Sequence, residues 1–232
     1  MTGVLLPGSV QPAPAGTVGF DADTVLTALS AQNFAAAGFS FAIRYLSLGS
    51  FADAGDLGSG EAETILQAGL ALMAVQHVPE FGWTPSLGLG GEFGRNAAIH
   101  ADAIGFPPGV NLWLDLEGVR FGTPPSDVIE HCNAWFAAVA AAGYVPGLYV
   151  GANAILNGEQ LYEDLNTDHY WQSGSDVPAV AVRGYCMVQS ISDRYDLEGV
   201  PYDRDRIQAD NRGNTPLWLI ANAPLVVAAG GP

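Results

Sequence analysis

The feature that most constrains this chain is a rhythm. Short apolar runs of strand length alternate with longer runs of helical period along most of its 232 residues. "TVGFD" (17–21), "FSFAIRYLS" (39–47), "LALMAVQHV" (70–78), "VNLWLDLEG" (110–118), "VPGLYVG" (145–151), "HYWQS" (169–173) and "GYCMVQS" (184–190) read as strands, and "GVPYDRDRIQAD" (199–210) contains a short eighth. Between them, residues 23–38, 61–69, 92–105, 125–143 and 158–166 space their apolar side chains for helices. Gly38, Gly69 and Gly143 act as stops and Ser126 as an N-cap. Strands alternating with helices predict a parallel sheet, and eight such units predict an α/β fold, a single closed (β/α)8 TIM-type barrel. Irregularity is expected around strands six to eight, where "SDVPAVAVR" is a weak helix. The glycine-rich "LGLGGEFG" (87–94) does not follow a phosphate-binding fingerprint and reads as a flexible loop. The organisation is an N-terminal arm (1–16), the barrel (17–216) and an apolar C-terminal tail (217–232), with no linker or break in composition.

Composition removes several classes of function. The net charge is -16, from 24 acids against 8 bases, and every base is arginine. Such a chain repels a phosphate backbone and offers no basic stripe, so nucleic acid is not an expected partner. The two cysteines, Cys132 and Cys186, are too few for a disulfide framework or a four-cysteine metal site and read as buried thiols. Neither a metal nor another cofactor is expected. The opening "MTGVLLPGSVQPAPAG" lacks the basic start and long apolar run of a signal peptide, and no stretch is long and apolar enough to span a membrane.

The acids carry the functional argument. In "LWLDLEG", Asp115 and Glu117 stand two apart, so on a strand they share a face. Asp21 ends the first strand, with Asp23 two residues on; Asp203 and Asp205 fall in the last. In a closed barrel the first and last strands are neighbours and the fourth lies across the mouth, so these carboxylates converge where barrel enzymes place their chemistry. Converging carboxylates repel, which raises at least one pKa and produces a proton donor near neutral pH. Glycoside hydrolysis needs such a pair: one carboxyl protonates the leaving oxygen, the other stabilises or attacks the sugar cation. Tyr149, Trp171 and Trp83 offer aromatic faces for sugar rings, and Gln76, His77, Gln172 and Gln189 offer hydrogen bonds to hydroxyls or an acetamide. Each feature also has a plain structural reading. A D-x-E pair at a strand end is commonly just solvated, barrel strands bury aromatics, and His77 suits a core position. Asp193, Asp196 and Glu198 lack the spacing of a calcium loop and read as solvated.

"GFDAD", "LWLDLEG", "PGLYVG", "YWQS" and the late "VQS…YDRDRI" together resemble the Rv2525c-like glycoside-hydrolase-like domain family, itself related to the family 25 glycoside hydrolases (lysozymes) that cleave peptidoglycan glycan. The resemblance runs from about Val18 to Ile207, and order and spacing carry it more than any one motif. It implies a catalytic set of Asp21, Asp115, Glu117 and Asp203, with Glu117 matching the proton donor and Asp205 an alternative to Asp203. It implies catalysis assisted by the substrate's own acetamido group, without a metal. Arg44 stands in "AIRYLS" where lysozymes carry a lysine-containing motif, which marks it as a substrate contact beside His77, Tyr149, Trp171, Gln189 and Asp205. "VQHV" departs from the aromatic-histidine pattern of the lysozymes. The expected function is a peptidoglycan-directed glycosidase acting on the cell wall, in the manner of a phage lysin. The rival is a catalytically silent glycan-binding or structural domain of a phage particle or cell-surface assembly, docked through the apolar C-terminal tail.

Overall fold

The computed structural model describes residues 4–191 and 195–222. The elements are β1 (Ser9–Pro12), β2 (Val18–Ala22), α1 (Ala28–Ala36), β3 (Phe41–Leu46), α2 (Ser59–Gln67), β4 (Ala71–Gln76), α3 (Leu87–Ile104), β5 (Asn111–Leu116), α4 (Pro125–Ala141), β6 (Val145–Val150), α5 (Gly158–Glu163), β7 (His169–Gln172), β8 (Met187–Ser190), β9 (Asp196–Leu197), β10 (Val200–Pro201), β11 (Asp203–Ile207) and β12 (Leu217–Ile220). Strands β2 to β8 and β11 close into an eight-stranded barrel, with β11 bonded to both β8 and β2. The neighbouring pairs from β2 to β8 are parallel, but β11 runs antiparallel to both its neighbours. This corrects the expectation of eight parallel strands. The described residues between β8 and β11 carry the small β9–β10 hairpin and no helix, and they leave the chain at the mouth, whereas residues 173–186, also without a helix, return it to the lower end before β8. The last strand therefore starts at the mouth and descends.

Side-chain alternation divides the core into two layers. Inward-facing Phe41, Ile43, Met73, Val75, Trp113, Tyr149, Trp171, Met187 and Ile207 fill the barrel. Outward-facing Phe20, Ala42, Leu46, Leu72, Ala74, Leu112, Leu114, Leu116 and Leu148 pack under the helices. Thr27 caps α1 through a reciprocal capping box with Ser30, and Ser86 caps α3. Ser126 lies inside α4, whose N-cap is Pro124, so it is not the cap its position suggested.

"LGLGGEFG" is the first half of α3 and not a loop. Its glycines serve contact, not flexibility. A Cβ on Gly90 would lie 2.1 Å from the His131 carbonyl oxygen, and one on Gly94 2.7 Å from that of Trp135. Two helices approach here more closely than any side chain permits, which offsets the low helix propensity of glycine.

Leu217–Ile220, at the start of the expected tail, is a strand because Trp218 and Leu219 are buried. It pairs antiparallel with β1 along its length and meets β4 at Leu219↔Leu72, below the point where β4 and β5 pair. The Leu217 amide donates to the Asn111 side chain of β5 (2.6 Å), and Trp218 packs on Phe41. The lower end is thus plugged, leaving the upper mouth as the route into the barrel. Residues 223–232 of the expected tail, residues 1–3 of the arm and Asp193 lie outside the described residues. No described helix is long and apolar enough to cross a membrane.

Candidate active site

The mouth is built by strand ends whose inward positions are polar. β5 contributes Asp115 from the same face as Trp113, and Glu117 follows one step above. The Trp83 indole N–H donates to the Glu117 carbonyl (2.8 Å), and Trp83 also bridges to Val119. Trp83 is therefore a clamp on the main chain at Glu117 and not a free sugar platform. Gly151, following β6, makes room for the acid: a Cβ there would lie 2.5 Å from the Glu117 Cβ.

In β11 the alternation "DRDRI" turns Asp203 and Asp205 inward. Antiparallel pairing sets Asp203 opposite Asp21 and Asp205 opposite Gly19, so Asp203 stands at the mouth and Asp205 a layer deeper. Asp205 is fully buried and accepts from the Trp171 indole (2.9 Å). Its second oxygen has no donor among the described residues, and a proton shared with the neighbouring Asp21 carboxyl would satisfy it. Asp21 also accepts from Gln189 (2.8 Å) and Tyr45 (3.2 Å), and Tyr149 donates to the other end of Gln189 (2.9 Å). A continuous chain thus runs Tyr149, Gln189, Asp21, Tyr45. Sequence reading passed over Tyr45, although it stands two positions after Ile43 on the inward face of β3; the signal was there in the alternation.

Two adjoining hollows occupy the mouth. One of about 160 Å³ is lined by Tyr45, Val75, Asp115, Glu117, Tyr149 and Asp203, among others. The second, about 340 Å³, holds Asp21, Asp23, Tyr45, Tyr195, Tyr202 and Asp203. Of the expected catalytic set, Asp115, Glu117 and Asp203 share the first, and Asp21 joins Asp203 in the second. Trp171 is almost wholly enclosed, standing edge-on to Tyr149 (4.6 Å between ring centroids) and near Trp113 (5.8 Å). It forms the floor of the first hollow and has no open face for a sugar ring to stack on. His77 sits at the rim, bonded to Asp56 and stacked on Tyr45. Gln76 is buried and committed to Ser47, Phe93 and Trp135.

Arg44 is not brought to the mouth. It lies on the outward face of β3, wholly buried, with its Nε 2.7 Å from Glu61 and its other nitrogens donating to the Ala22 and Gly55 carbonyls. It ties β3 to α2. Position in the sequence placed it one residue from Tyr45, and one residue is enough to reverse the face.

The electrostatics follow from burial and crowding. Desolvation and the adjacent Asp203 charge raise Glu117 above the ordinary carboxyl range. Desolvation, then Glu117 and Asp21, raise Asp115 further. The Oδ1 of Asp115 has no hydrogen-bond partner among the described residues. Asp21 is pushed from 3.8 up to about 7, chiefly by burial, against the lowering effect of Gln189. Between those pH values the folded protein holds a proton that the unfolded chain has released. The stability contributed by this group therefore falls as pH rises from about 4 to about 7 and is gone above that. Asp21→Asn should make the melting temperature decline less steeply across that interval; parallel curves for variant and wild type would refute the assignment.

The model of the family described as "Rv2525c-like, glycoside hydrolase-like domain" matches residues 32–204. No curated protein matches the chain. Among solved structures, the Tat-secreted protein Rv2525c of Mycobacterium tuberculosis, in complex with L-tartrate, aligns with a TM-score of 0.64 at 19% identity, over 84% of this chain and 96% of that one. A bacterial lysozyme from Streptomyces coelicolor aligns at 0.57 and 16% identity, over 84% and 93%. The catalytic domain of endolysin ply40, from bacteriophage P40 of Listeria monocytogenes, gives 0.56 and 15%, over 85% and 95%. At these identities the likeness is one of fold.

Proposed function

Because this chain belongs to the Rv2525c-like glycoside hydrolase-like family, we propose that it is a glycosidase that cleaves peptidoglycan glycan in the lysozyme manner. The observation that carries this reading is the shared hollow of Asp115, Glu117 and Asp203, in which burial and like charge hold carboxyl protons to higher pH. Glu117, half-buried and open to the hollow, is the general acid that protonates the leaving oxygen and then the base that activates water. Asp115 orients the substrate's acetamido group and stabilises the cyclic intermediate it forms. Asp203 sustains the raised pKa of Glu117, and Asp21 with Gln189 and Tyr45 holds the sugar from the adjoining hollow. Tyr149, Gln189 and His77 remain substrate-side groups in this reading. Trp171 and Asp205 support the floor and Arg44 supports the scaffold.

Release of reducing ends from purified cell walls is the direct test. Activity should be lost as pH rises through the raised pKa of Glu117, because the proton required by the leaving group is then gone. A rate still climbing through the alkaline range would rule out Glu117 as the acid.

A second reading draws on the rim. Phe51, Phe81 and Phe121, on the loops after β3, β4 and β5, are 86%, 81% and 98% exposed. Exposed rings around a barrel mouth suit glycan binding whether or not a bond is cut. A silent glycan-binding or structural module, in a phage particle or at a cell surface, would co-sediment with cell walls and release no reducing ends.

A further inference from the structure

Three residues at the rim stand apart from the carboxyl cluster. Asp23 follows β2, Asp56 belongs to the loop after β3, and His77 follows β4, so they come from three neighbouring strand exits. One donor atom from each lies within 4.8 Å of the other two. His77 Nε2 is 2.8 Å from Asp56 Oδ1 and 3.5 Å from Asp23 Oδ1. We propose that Asp23, Asp56 and His77 form a binding site for a divalent transition-metal ion of the zinc class.

The geometry supports this over a plain histidine–aspartate pair. The pair alone would need only Asp56. At 3.5 Å, Asp23 is at the limit of a hydrogen bond, yet two donors each about 2.0–2.1 Å from a tetrahedral ion stand roughly 3.3–3.4 Å apart. The shorter contact, to Asp56, needs to open by only about half an ångström. The ligands are also oriented from behind. Ser47 donates to the other oxygen of Asp56 (2.5 Å), and the Tyr45 ring stacks on the His77 imidazole at 4.6 Å and 25°. Ligand carboxylates in metal sites are typically hydrogen-bonded from behind in the way Ser47 holds Asp56, and the Tyr45 ring restricts the tilt of the imidazole. An imidazole with two carboxylates favours zinc and its first-row neighbours over magnesium or calcium, which prefer oxygen alone. The surplus of acids in the chain draws cations to such a place.

The site has an open side. The Asp23 side chain is 72% exposed, and Asp23 lines the 340 Å³ hollow together with Asp21 and Asp203. An ion held there would border that hollow on its Asp23 side. The ion supplies a positive pole in a mouth otherwise lined by acids, and it receives an anionic or hydroxyl group of the substrate, such as a carboxylate carried by the glycan. This second role rests on the glycosidase reading; the binding of the ion does not.

The test uses tag-free protein stripped with a chelator and titrated with zinc chloride by calorimetry, with cobalt(II) as a visible-absorption probe. One ion per chain is expected, not displaced by millimolar magnesium. His77→Ala and Asp23→Asn, the latter at an exposed position that leaves folding untouched, should each weaken binding at least about tenfold. Glu117→Gln should leave it unchanged. Absence of saturable binding, equal binding by the two rim variants, or loss of binding in Glu117→Gln alone would each overturn the proposal. Failure of the glycosidase reading would appear separately, as cell walls left uncut by the wild type whatever its metal content.

Discussion

Glu117→Gln is expected to slow the release of reducing ends from purified peptidoglycan by at least about a hundredfold, the usual contribution of a positioned acid. Glutamine keeps the shape of the side chain but has no proton to give. The substitution should not disturb the local fold, because the main chain at this position is pinned by the Trp83 indole and the space beside it is kept by Gly151. Binding to cell walls should change little. The informative result is a split, with turnover lost and co-sedimentation retained. A variant keeping more than about a tenth of wild-type turnover would remove Glu117 from the acid role. A wild type that binds walls and never cuts them would move the protein to the silent reading.

Arg44→Ala is expected to lower unfolding stability by about 3–5 kcal/mol, the usual cost of breaking a buried ion pair from one side. For a chain of this size that corresponds to a fall in melting temperature of roughly 10 °C. Glu61, its side chain only 6% exposed, would lose the guanidinium while still accepting from the Leu26 amide (2.8 Å). The Ala22 and Gly55 carbonyls would lose their donor as well. Turnover per folded molecule should stay near wild type, since nothing at the mouth is touched. Pairing Arg44→Met with Glu61→Leu should recover the part of the loss due to the stranded Glu61 charge, but not the part due to the Ala22 and Gly55 carbonyls and the Leu26 amide, which stay without their partners. Unchanged stability with a raised KM would mean that Arg44 meets the substrate after all.

The contrast between Arg44 and Tyr45 shows what the sequence could and could not convey. The barrel was legible because eight strand-length runs each needed covering and helices stood between most of them. The acids were legible because D-x-E and D-x-D place two carboxylates on one face whatever the surroundings. Direction was less legible: among the described residues neither the connection after β7 nor the one after β8 carries a helix, yet only the second reverses its strand, so the weak helical pattern before β8 did not say which strand would turn. Depth was not legible at all. Trp171 and Tyr149 look alike as strand aromatics, but only the closed barrel decides that one ring is sealed beneath the other. The glycines of α3 misled for a related reason, because their purpose is set by a second helix remote in sequence. The rim group of Asp23, Asp56 and His77 has no linear spacing to betray it, since three separate strand exits must first be aligned.

The strand that plugs the lower end also bears on how the molecule is assembled. Ser9 pairs with Ile220 and Pro12 with Leu217, so nearly the whole chain lies between the two partners of this small ribbon. The barrel's own closing pair is nearly as remote, Asp21 with Asp203, and once it has formed the two strands of the ribbon are tethered close together. Without the ribbon the base of the cylinder would expose Phe41 and the lower ends of β4 and β5 to water. The ribbon is thus a latch, in which an early segment and a late one meet beneath the barrel and exclude solvent from its base, so removing Leu217–Ile220 should loosen the base while leaving the strand ends at the mouth in place.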